Sequence, residues 1–185
     1  MRIAVIGGIG SGKSEVLAVA REMGVCCLSA DEINRELLAD EGYVSALTAR
    51  FPSCVKDGKV DKAALSALVF SDKKSRLALN ALAHPAIKKR IEECDADPLV
   101  VELPLMLESG MKDRFDEIVL VTAPRRVRIA RLKERGVPEE RARAVMRAQP
   151  PTRKLRRIAT RTIDNSGTME TLREGARQLL RILCE

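Results

Sequence analysis

The sequence predicts an α/β fold in which helices cover both faces of a five-stranded parallel sheet, giving three layers. Three observations support this prediction. Short apolar runs alternate with helical segments along the chain, which is the order of βαβ units. The chain has 185 residues, enough for one domain with a substantial core. A glycine-rich segment directly follows the first apolar run, at the kind of turn where such sheets bind ligands.

The first βαβ unit lies at the start of the chain. Residues 2–6 form a short apolar run that ends at Gly7, which predicts a buried strand. Residues 13–23 place apolar side chains on one helical face, and residues 25–28 form the second strand. Residues 29–31 then supply an exit loop and the N-cap of a helix that reaches about residue 39.

The middle of the chain is predicted to be mostly helical. The candidate helices span residues 43–50, 62–70, 73–83 and 86–95. Pro52, an Asp57-Gly58 turn and Pro85 separate them. Because this block lies between two strands, we expect it to form a small helical subdomain.

The C-terminal half supplies the other three strands. They are expected over residues 99–103, 117–122 and 160–163. Helices are expected over residues 125–135, 138–148 and 168–183, with a further basic helix after Pro150-Pro151.

Composition excludes several classes of protein. No apolar run approaches the roughly 20 residues of a membrane helix. The start of the chain lacks the basic segment and cleavage site of a signal peptide. We therefore expect a cytoplasmic protein with no membrane partner. The five cysteines include no CxxC pair and there is one histidine, which argues against a disulfide framework and a zinc site.

Positive charge is concentrated in one segment. The formal net charge is +7, yet residues 125–161 hold fourteen Lys and Arg against three Glu, so this segment is +11 and the remainder −4. Such a segment indicates an anionic ligand. Aromatic residues for stacking bases are scarce, so we expect no nucleic-acid partner.

The glycine-rich segment Gly7–Ser14 fits the phosphate-binding pattern G-x-x-x-x-G-K-[ST]. Its glycines allow backbone N–H groups to surround a phosphate, and the following helix directs its positive end at the anion. Lys13 can reach the β- and γ-phosphates of a nucleoside triphosphate, and the Ser14 hydroxyl is the candidate Mg²⁺ ligand. The candidate nucleotide site is the backbone of Gly8, Ile9, Gly10, Ser11, Gly12, Lys13, Ser14 and Glu15. The motif therefore predicts a P-loop NTPase fold. The alternative is that this segment is an ordinary glycine-rich turn with no phosphate-binding role.

This motif defines a nucleotide site but leaves the reaction open between a small-molecule kinase, a GTPase and an ATP-driven switch. The chain has no N-K-x-D guanine motif, and Glu102 does not belong to an acidic pair of the Walker B type. A small kinase in which arginines of the basic segment close over polyphosphate fits best.

Five motifs in order resemble those of the dephospho-CoA kinase family. They are residues 7–14 (GGIGSGKS), 30–35 (ADEINR), 84–87 (HPAI), 104–108 (PLMLE) and 163–167 (IDNSG). The resemblance implies transfer of the ATP γ-phosphate to the ribose 3′-hydroxyl of dephospho-coenzyme A, with ATP and Mg²⁺ required. It also implies a nucleotide-binding core over residues 1–30, 98–130 and 158–185, a helical acceptor-binding region over 31–97 and a basic lid over 131–157.

The resemblance assigns catalysis to Asp31, Lys13 and Arg131. Asp31 matches the family's catalytic aspartate, which orients the ribose hydroxyl and accepts its proton. A helix N-cap is the alternative role, and the two roles can coexist. Arg35 lies one helical turn after Asp31, where it either binds a phosphate of the acceptor or forms a surface ion pair. Arg131 and Arg135 match the lid arginines that contact ATP, with a solvated basic helix as the alternative.

The remaining candidates are less specific. Asn165 follows the last strand, where such kinases meet adenine, although a simple turn explains it equally well. His84 either binds the acceptor or caps a helix end. Leu105 and Glu108 belong to the motif assigned to acceptor contact, with an exposed role for Glu108 as the alternative.

Two departures from the family pattern affect the nucleotide site. Glu15 stands where the family usually has Thr beside the α-phosphate, so we expect weaker ATP binding. Ser29 replaces the first aspartate of a D-A-D motif, so we expect weaker metal binding. A kinase of another small acceptor, such as a nucleoside monophosphate or sugar acid, and a non-enzymatic nucleotide switch are the competing hypotheses. The expected oligomeric state is a monomer or a weak homo-oligomer.

Overall fold

The computed structural model describes residues 1–56, 59–104 and 106–184, except for the side chain of Phe70. The described chain divides into two compact units. Unit 1 comprises residues 1–29 and 96–185, and unit 2 comprises residues 30–95.

Unit 1 contains the predicted sheet. Within the described residues, its five parallel strands are β1 (Arg2–Ile6), β2 (Cys26–Ser29), β5 (Leu99–Glu102), β6 (Glu117–Thr122) and β7 (Arg161–Asp164). They pair in the order β2-β5-β1-β6-β7. The prediction of an α/β fold with five parallel strands is confirmed, and β1 lies at the centre of the sheet.

Both faces of this sheet are buried. Ile3 and Val5 join a core cluster with the helices α1 (Lys13–Glu22) and α10 (Met169–Cys184). Ala4 and Ile6 alternate with them along β1, so they point to the other face, and their exposure is at most 1%. The other helices of unit 1 are α6 (Met106–Ser109), α7 (Arg125–Glu134), α8 (Glu139–Ala148) and α9 (Thr152–Arg156).

Unit 2 is mainly helical and has its own core. Its elements are α2 (Ala30–Leu37), α3 (Glu41–Arg50), β3 (Val55–Lys56), β4 (Lys59–Val60), α4 (Lys62–Ser71) and α5 (Lys73–Glu92). Tyr43, Leu47 and Phe51 anchor the core cluster. The β3–β4 pair was not predicted, since two-residue strands carry no detectable alternation. The predicted Asp57-Gly58 turn lies outside the described residues.

One predicted boundary in unit 2 is wrong. Pro85 was expected to separate two helices, whereas α5 continues through it. A proline removes one helical hydrogen bond, but Leu82 and Ala83 before it and Ala86 and Ile87 after it pack into the same core cluster. This packing on both sides of Pro85 outweighs the local preference for a break.

Candidate active site

The glycine-rich segment connects β1 to α1, as the motif requires. Gly12 adopts φ +105° and precedes Lys13, the first residue of α1. A Cβ atom at Gly12 would collide with the side-chain amide of Asn165, so both the backbone angle and the space demand glycine. The loop is closed by a hydrogen bond from the Ser11 N–H to the Gly8 carbonyl (3.1 Å).

Three polar side chains meet at the start of α1. Lys13 Nζ lies 3.6 Å from Glu102 Oε1, and both side chains are more than nine-tenths buried. The Ser14 hydroxyl lies 3.4 Å from both carboxylate oxygens of Glu102. Glu102 reaches this position because β5 pairs with β1 in the register that places Glu102 opposite Val5.

This arrangement fits a magnesium site. Mg²⁺ prefers oxygen ligands and commonly takes one or two from protein while keeping several waters. Ser14 and Glu102 offer a hydroxyl and a carboxylate side by side. The sequence indicated Ser14 but not Glu102, because Glu102 lacks an acidic neighbour and its proximity to Ser14 depends on strand order.

Asn165 joins the loop to α7. Its side-chain N–H₂ donates to the Ser11 carbonyl (2.8 Å), and its Oδ1 accepts from Arg131 Nη2 (3.0 Å). Arg131 also donates to the carbonyl groups of Asn165 (3.2 Å) and Gly167 (3.3 Å). With 1% of its surface exposed, Asn165 uses its amide inside the protein, between the phosphate loop and Arg131.

Two further side chains bind the backbone of Ile9, one at its carbonyl and one at its N–H. Arg128 Nε donates to the Ile9 carbonyl (2.7 Å), and Gln149 Oε1 accepts from the Ile9 N–H (2.8 Å). A Cβ atom at Gly8 would collide with the Arg128 guanidinium, so the two lie against each other. Burial, with a smaller effect of Arg125, lowers the pKa of Arg128. Sequence reasoning missed both Arg128 and Gln149.

Glu15 has a partner that the sequence did not reveal. Arg173 of α10 forms an ion pair with Glu15 and a second one with Glu22, at the other end of α1. The hydrogen bonds that Arg173 donates to Glu22 and, with a smaller effect, to Glu15 raise the pKa of Arg173. The Glu15 carboxylate is therefore charge-compensated within the protein.

The remaining basic candidate of α7 is differently placed. Arg135 is exposed at the C-cap of α7, where its backbone N–H donates to the carbonyl groups of Arg131 (3.3 Å) and Leu132 (3.2 Å). Its side chain is thus available to solvent, and its assignment to ATP stays a prediction.

The candidate acceptor residues are distributed over both units. Asp31 is exposed in the first turn of α2, and Arg35 Nε donates to the Asp31 backbone carbonyl (3.3 Å). His84 lies within α5, which excludes the alternative of a cap at a helix end. Glu108 is exposed in α6 of unit 1, and Leu105 lies outside the described residues.

Unit 2 also contains a cavity of about 690 Å³. Apolar side chains from α2, α3 and α5 line it, including Ile33, Tyr43 and Leu82. The charged residues of its lining are Lys89, Arg90, Glu36, Asp40 and Glu93. Lys89 pairs with Glu93 (3.8 Å) and Arg90 pairs with Glu36 (3.9 Å), so both cations are compensated by neighbouring carboxylates.

A phosphate loop after the central strand, an adjacent lysine and carboxylate, and a basic helical segment define a P-loop nucleotide-binding enzyme of the small-kinase type. The family model of dephospho-CoA kinase matches residues 1–171. A dephospho-CoA kinase of Geobacillus kaustophilus is 37% identical over 99% of this chain and 95% of its own length.

Solved structures agree with this result. TT1252 from Thermus thermophilus superposes with a TM-score of 0.85 at 33% identity, covering 100% of this chain and 98% of its own. A dephospho-CoA kinase from Campylobacter jejuni gives a TM-score of 0.70 over 99% of this chain and 96% of its own, and at 23% identity it supports the fold alone. The chain belongs to the dephospho-CoA kinase family, as the sequence motifs indicated.

No helix among the described residues is long and apolar enough to cross a membrane.

Proposed function

We propose that this chain transfers the γ-phosphate of ATP to the ribose 3′-hydroxyl of dephospho-coenzyme A, giving coenzyme A and ADP in the cytoplasm. The family match over residues 1–171, combined with an intact phosphate loop, carries this proposal. The ribose oxygen forms the new bond to the γ-phosphorus, and the bond from that phosphorus to the β–γ bridging oxygen breaks. The hydroxyl proton passes to a carboxylate.

The loop and the residues at its end bind and orient ATP. The backbone of residues 8–15 surrounds the phosphates, and Lys13 contacts the β- and γ-phosphates. Mg²⁺ would be held by Ser14 with Glu102 nearby, and it neutralises charge on the phosphate oxygens when bound. Arg131 and Arg135 are proposed to add positive charge over the transferring group, and Asn165 is proposed to lie beside adenine, with its amide bound to Ser11 and Arg131.

Asp31 is the proposed base. It matches the family's catalytic aspartate, and it follows β2 by two residues at the carboxyl end of a parallel strand, where such sheets bind their ligands. Arg35, His84, Leu105 and Glu108 are proposed to bind the acceptor. The apolar lining of the cavity in unit 2 suits an uncharged arm of the acceptor.

A product assay tests the reaction. The purified protein is incubated with ATP, Mg²⁺ and dephospho-CoA, and in parallel with AMP, CMP or gluconate, and products are identified by mass spectrometry. Coenzyme A formed only in the first mixture is the expected result. Another phosphorylated product would move the chain to a different acceptor, and ATP binding without turnover would indicate a nucleotide switch.

The role of Asp31 has its own test. Asp31→Asn removes the proton acceptor while keeping the side-chain size, so we expect kcat to fall by about 10²–10⁴-fold with the dissociation constant of ATP retained. Asp95→Asn is the control, because Asp95 is exposed in unit 2 outside the lining of the cavity and the same change there should leave turnover unchanged. Unchanged turnover in Asp31→Asn would remove Asp31 from the mechanism.

A further inference from the structure

Glu15 places a negative charge in the first turn of the helix that begins at the phosphate loop. The two residues that precede Glu15 in α1 are Lys13, which is expected to bind phosphate, and Ser14, which is expected to bind Mg²⁺. A carboxylate there is favourable with respect to the helix dipole when no ligand is bound. The same charge repels a triphosphate, and the two groups would compete for the positive end of α1.

Arg173 of α10 lies against α1 and neutralises the charge of Glu15 by forming an ion pair with it. One guanidinium nitrogen, Nη1, pairs with Glu15, and the other, Nη2, lies 2.6 Å and 2.5 Å from the two oxygens of Glu22. The side chains of Arg173 and Glu15 are 29% and 28% exposed, so water screens this pair less than a surface pair. Glu22 fixes the guanidinium from the other side.

The neighbours of Arg173 along α10 make its position rigid. Leu172 and Ala176 are buried in the core cluster that joins α1, α10 and the sheet. Arg177, one turn further, pairs with Glu22 (3.8 Å) and Glu174 (3.6 Å). Arg177 therefore has the same charge and the same helix, but its described ion pairs do not include Glu15.

We propose that Arg173 is a positioning residue of the nucleotide site, which acts through Glu15 by holding and neutralising its carboxylate so that the phosphate loop accepts ATP. This inference rests on the proposed ATP site, and it is independent of the acceptor. It differs from the expectation that Glu15 weakens ATP binding, because Arg173 pairs with the Glu15 carboxylate. The pair takes over a position where the family usually has a threonine.

A double-mutant cycle tests the proposal through the dissociation constant of ATP, measured by calorimetry with Mg²⁺ and without acceptor. Arg173→Gln leaves the Glu15 charge uncompensated, and we expect ATP to bind about five- to tenfold more weakly. In the Glu15→Gln background the same Arg173→Gln change should alter the dissociation constant less than about twofold. Arg173→Lys, which keeps the charge, should recover most of the affinity.

Two measurements distinguish an effect of Arg173 on ATP binding from a purely structural role in holding α10 against α1. Arg177→Gln removes an equal charge from α10 and should change ATP affinity less than about twofold. The melting temperature should fall on Arg173→Gln in both backgrounds, since the Glu22 contact is lost in each, while the loss of ATP affinity requires Glu15.

Three results would overturn the proposal. Equal weakening of ATP binding in both backgrounds would show that Arg173 acts on the nucleotide or on the fold directly. Unchanged affinity in Arg173→Gln would show that Glu15 needs no compensation. A wild-type chain that binds no ATP would contradict the proposed function together with this inference, whereas failure with dephospho-CoA alone would leave this inference standing.

Discussion

Gly12 is the residue of the phosphate loop at which an added side chain would collide with Asn165. Its φ of +105° disfavours any other residue, and an added Cβ would collide with the Asn165 amide. We expect Gly12→Ala to displace the Asn165–Ser11 hydrogen bond and to weaken ATP binding by at least about tenfold, since the loop N–H groups lose their alignment. Calorimetric titration with ATP measures the effect.

Gly24 provides a matched control for this substitution. It also has a positive φ, +78°, but a Cβ atom added there would meet no other atom within 4 Å. Gly24→Ala should therefore lower stability through backbone strain alone and leave ATP affinity unchanged. Equal ATP affinity in both variants would contradict the importance of the Gly12–Asn165 contact.

Glu102 is the residue that the structure adds to the candidate magnesium site. Glu102→Gln keeps the size of the side chain but removes the negative charge beside Ser14 and Lys13. We expect the Mg²⁺ concentration at half-maximal activity to rise by about tenfold, with a smaller loss of kcat at saturating Mg²⁺. Exposed Glu140→Gln should leave the Mg²⁺ dependence unchanged, and a normal Mg²⁺ requirement in Glu102→Gln would exclude Glu102 from the site.

The limits of sequence reasoning are clearest at the scale of single residues. Lys13 and Ser14 could be predicted because the loop motif is local and its chemistry is fixed by spacing. Glu102 could not, because 88 residues separate it from Ser14 and only the pairing of β5 with β1 brings them together. Arg173 could not be predicted for the same reason, since 158 residues separate it from Glu15.

Among the elements, the five strands of the parallel sheet were predicted within one residue of their bounds. Three of them, β1, β5 and β6, are largely buried and form continuous apolar runs. The helices of unit 2 were harder to predict. Pro85 is a strong local signal for a helix end, yet α5 continues because its buried face packs on both sides of the proline. Tertiary packing overrides local preference there, and no window of sequence contains that information.

The start of α5 depends on a charged cap. Asp72 accepts hydrogen bonds from the backbone N–H groups of Lys74 (3.2 Å) and Ser75 (2.7 Å). Hydrogen bonding from the Ser75 side chain, followed by these N–H groups, lowers the pKa of Asp72. Since the folded state favours the carboxylate, the cap stabilises the protein above the ordinary pKa of Asp, and this contribution is lost as pH falls through the lowered value.

We therefore expect Asp72→Asn, which cannot titrate, to reduce the dependence of the melting temperature on pH. The difference in melting temperature between wild type and Asp72→Asn should shrink between neutral pH and about pH 3. Exposed Asp113→Asn should keep the wild-type profile. A constant difference between wild type and Asp72→Asn across this range would show that the charge of Asp72 does not contribute to the cap.

At the scale of the whole molecule, the division into two units follows from chain order. Unit 2 is inserted between β2 and β5, and each unit has a core cluster of its own. The sequence indicated the insertion because its helical block lies between two strands, and residues 30–95 of unit 2 lie close to the expected region 31–97. The assignment of that region to the acceptor, and of residues 131–157 to a lid, stays a prediction.

The uneven charge of the molecule should make ATP binding sensitive to ionic strength. Residues 125–161 carry +11 while the rest of the chain carries −4, so the segment that includes α7, α8 and α9 attracts polyphosphate over a distance that salt shortens. Raising the ionic strength from about 20 mM to about 200 mM should increase KM for ATP several-fold, with kcat nearly constant, because the Debye length falls to below about 10 Å.

Two pairs of exposed cations separate the effect of this segment from that of net charge. Neutralising Arg153 and Lys154 of α9 to Gln removes charge from the basic segment, and it should flatten the salt dependence of KM. Neutralising Lys73 and Lys74 of α5 to Gln removes the same charge from unit 2, and the salt dependence should remain. If both pairs flattened it equally, net charge and not the basic segment would govern ATP capture, and the arginines of residues 125–161 would then act only where they touch the nucleotide.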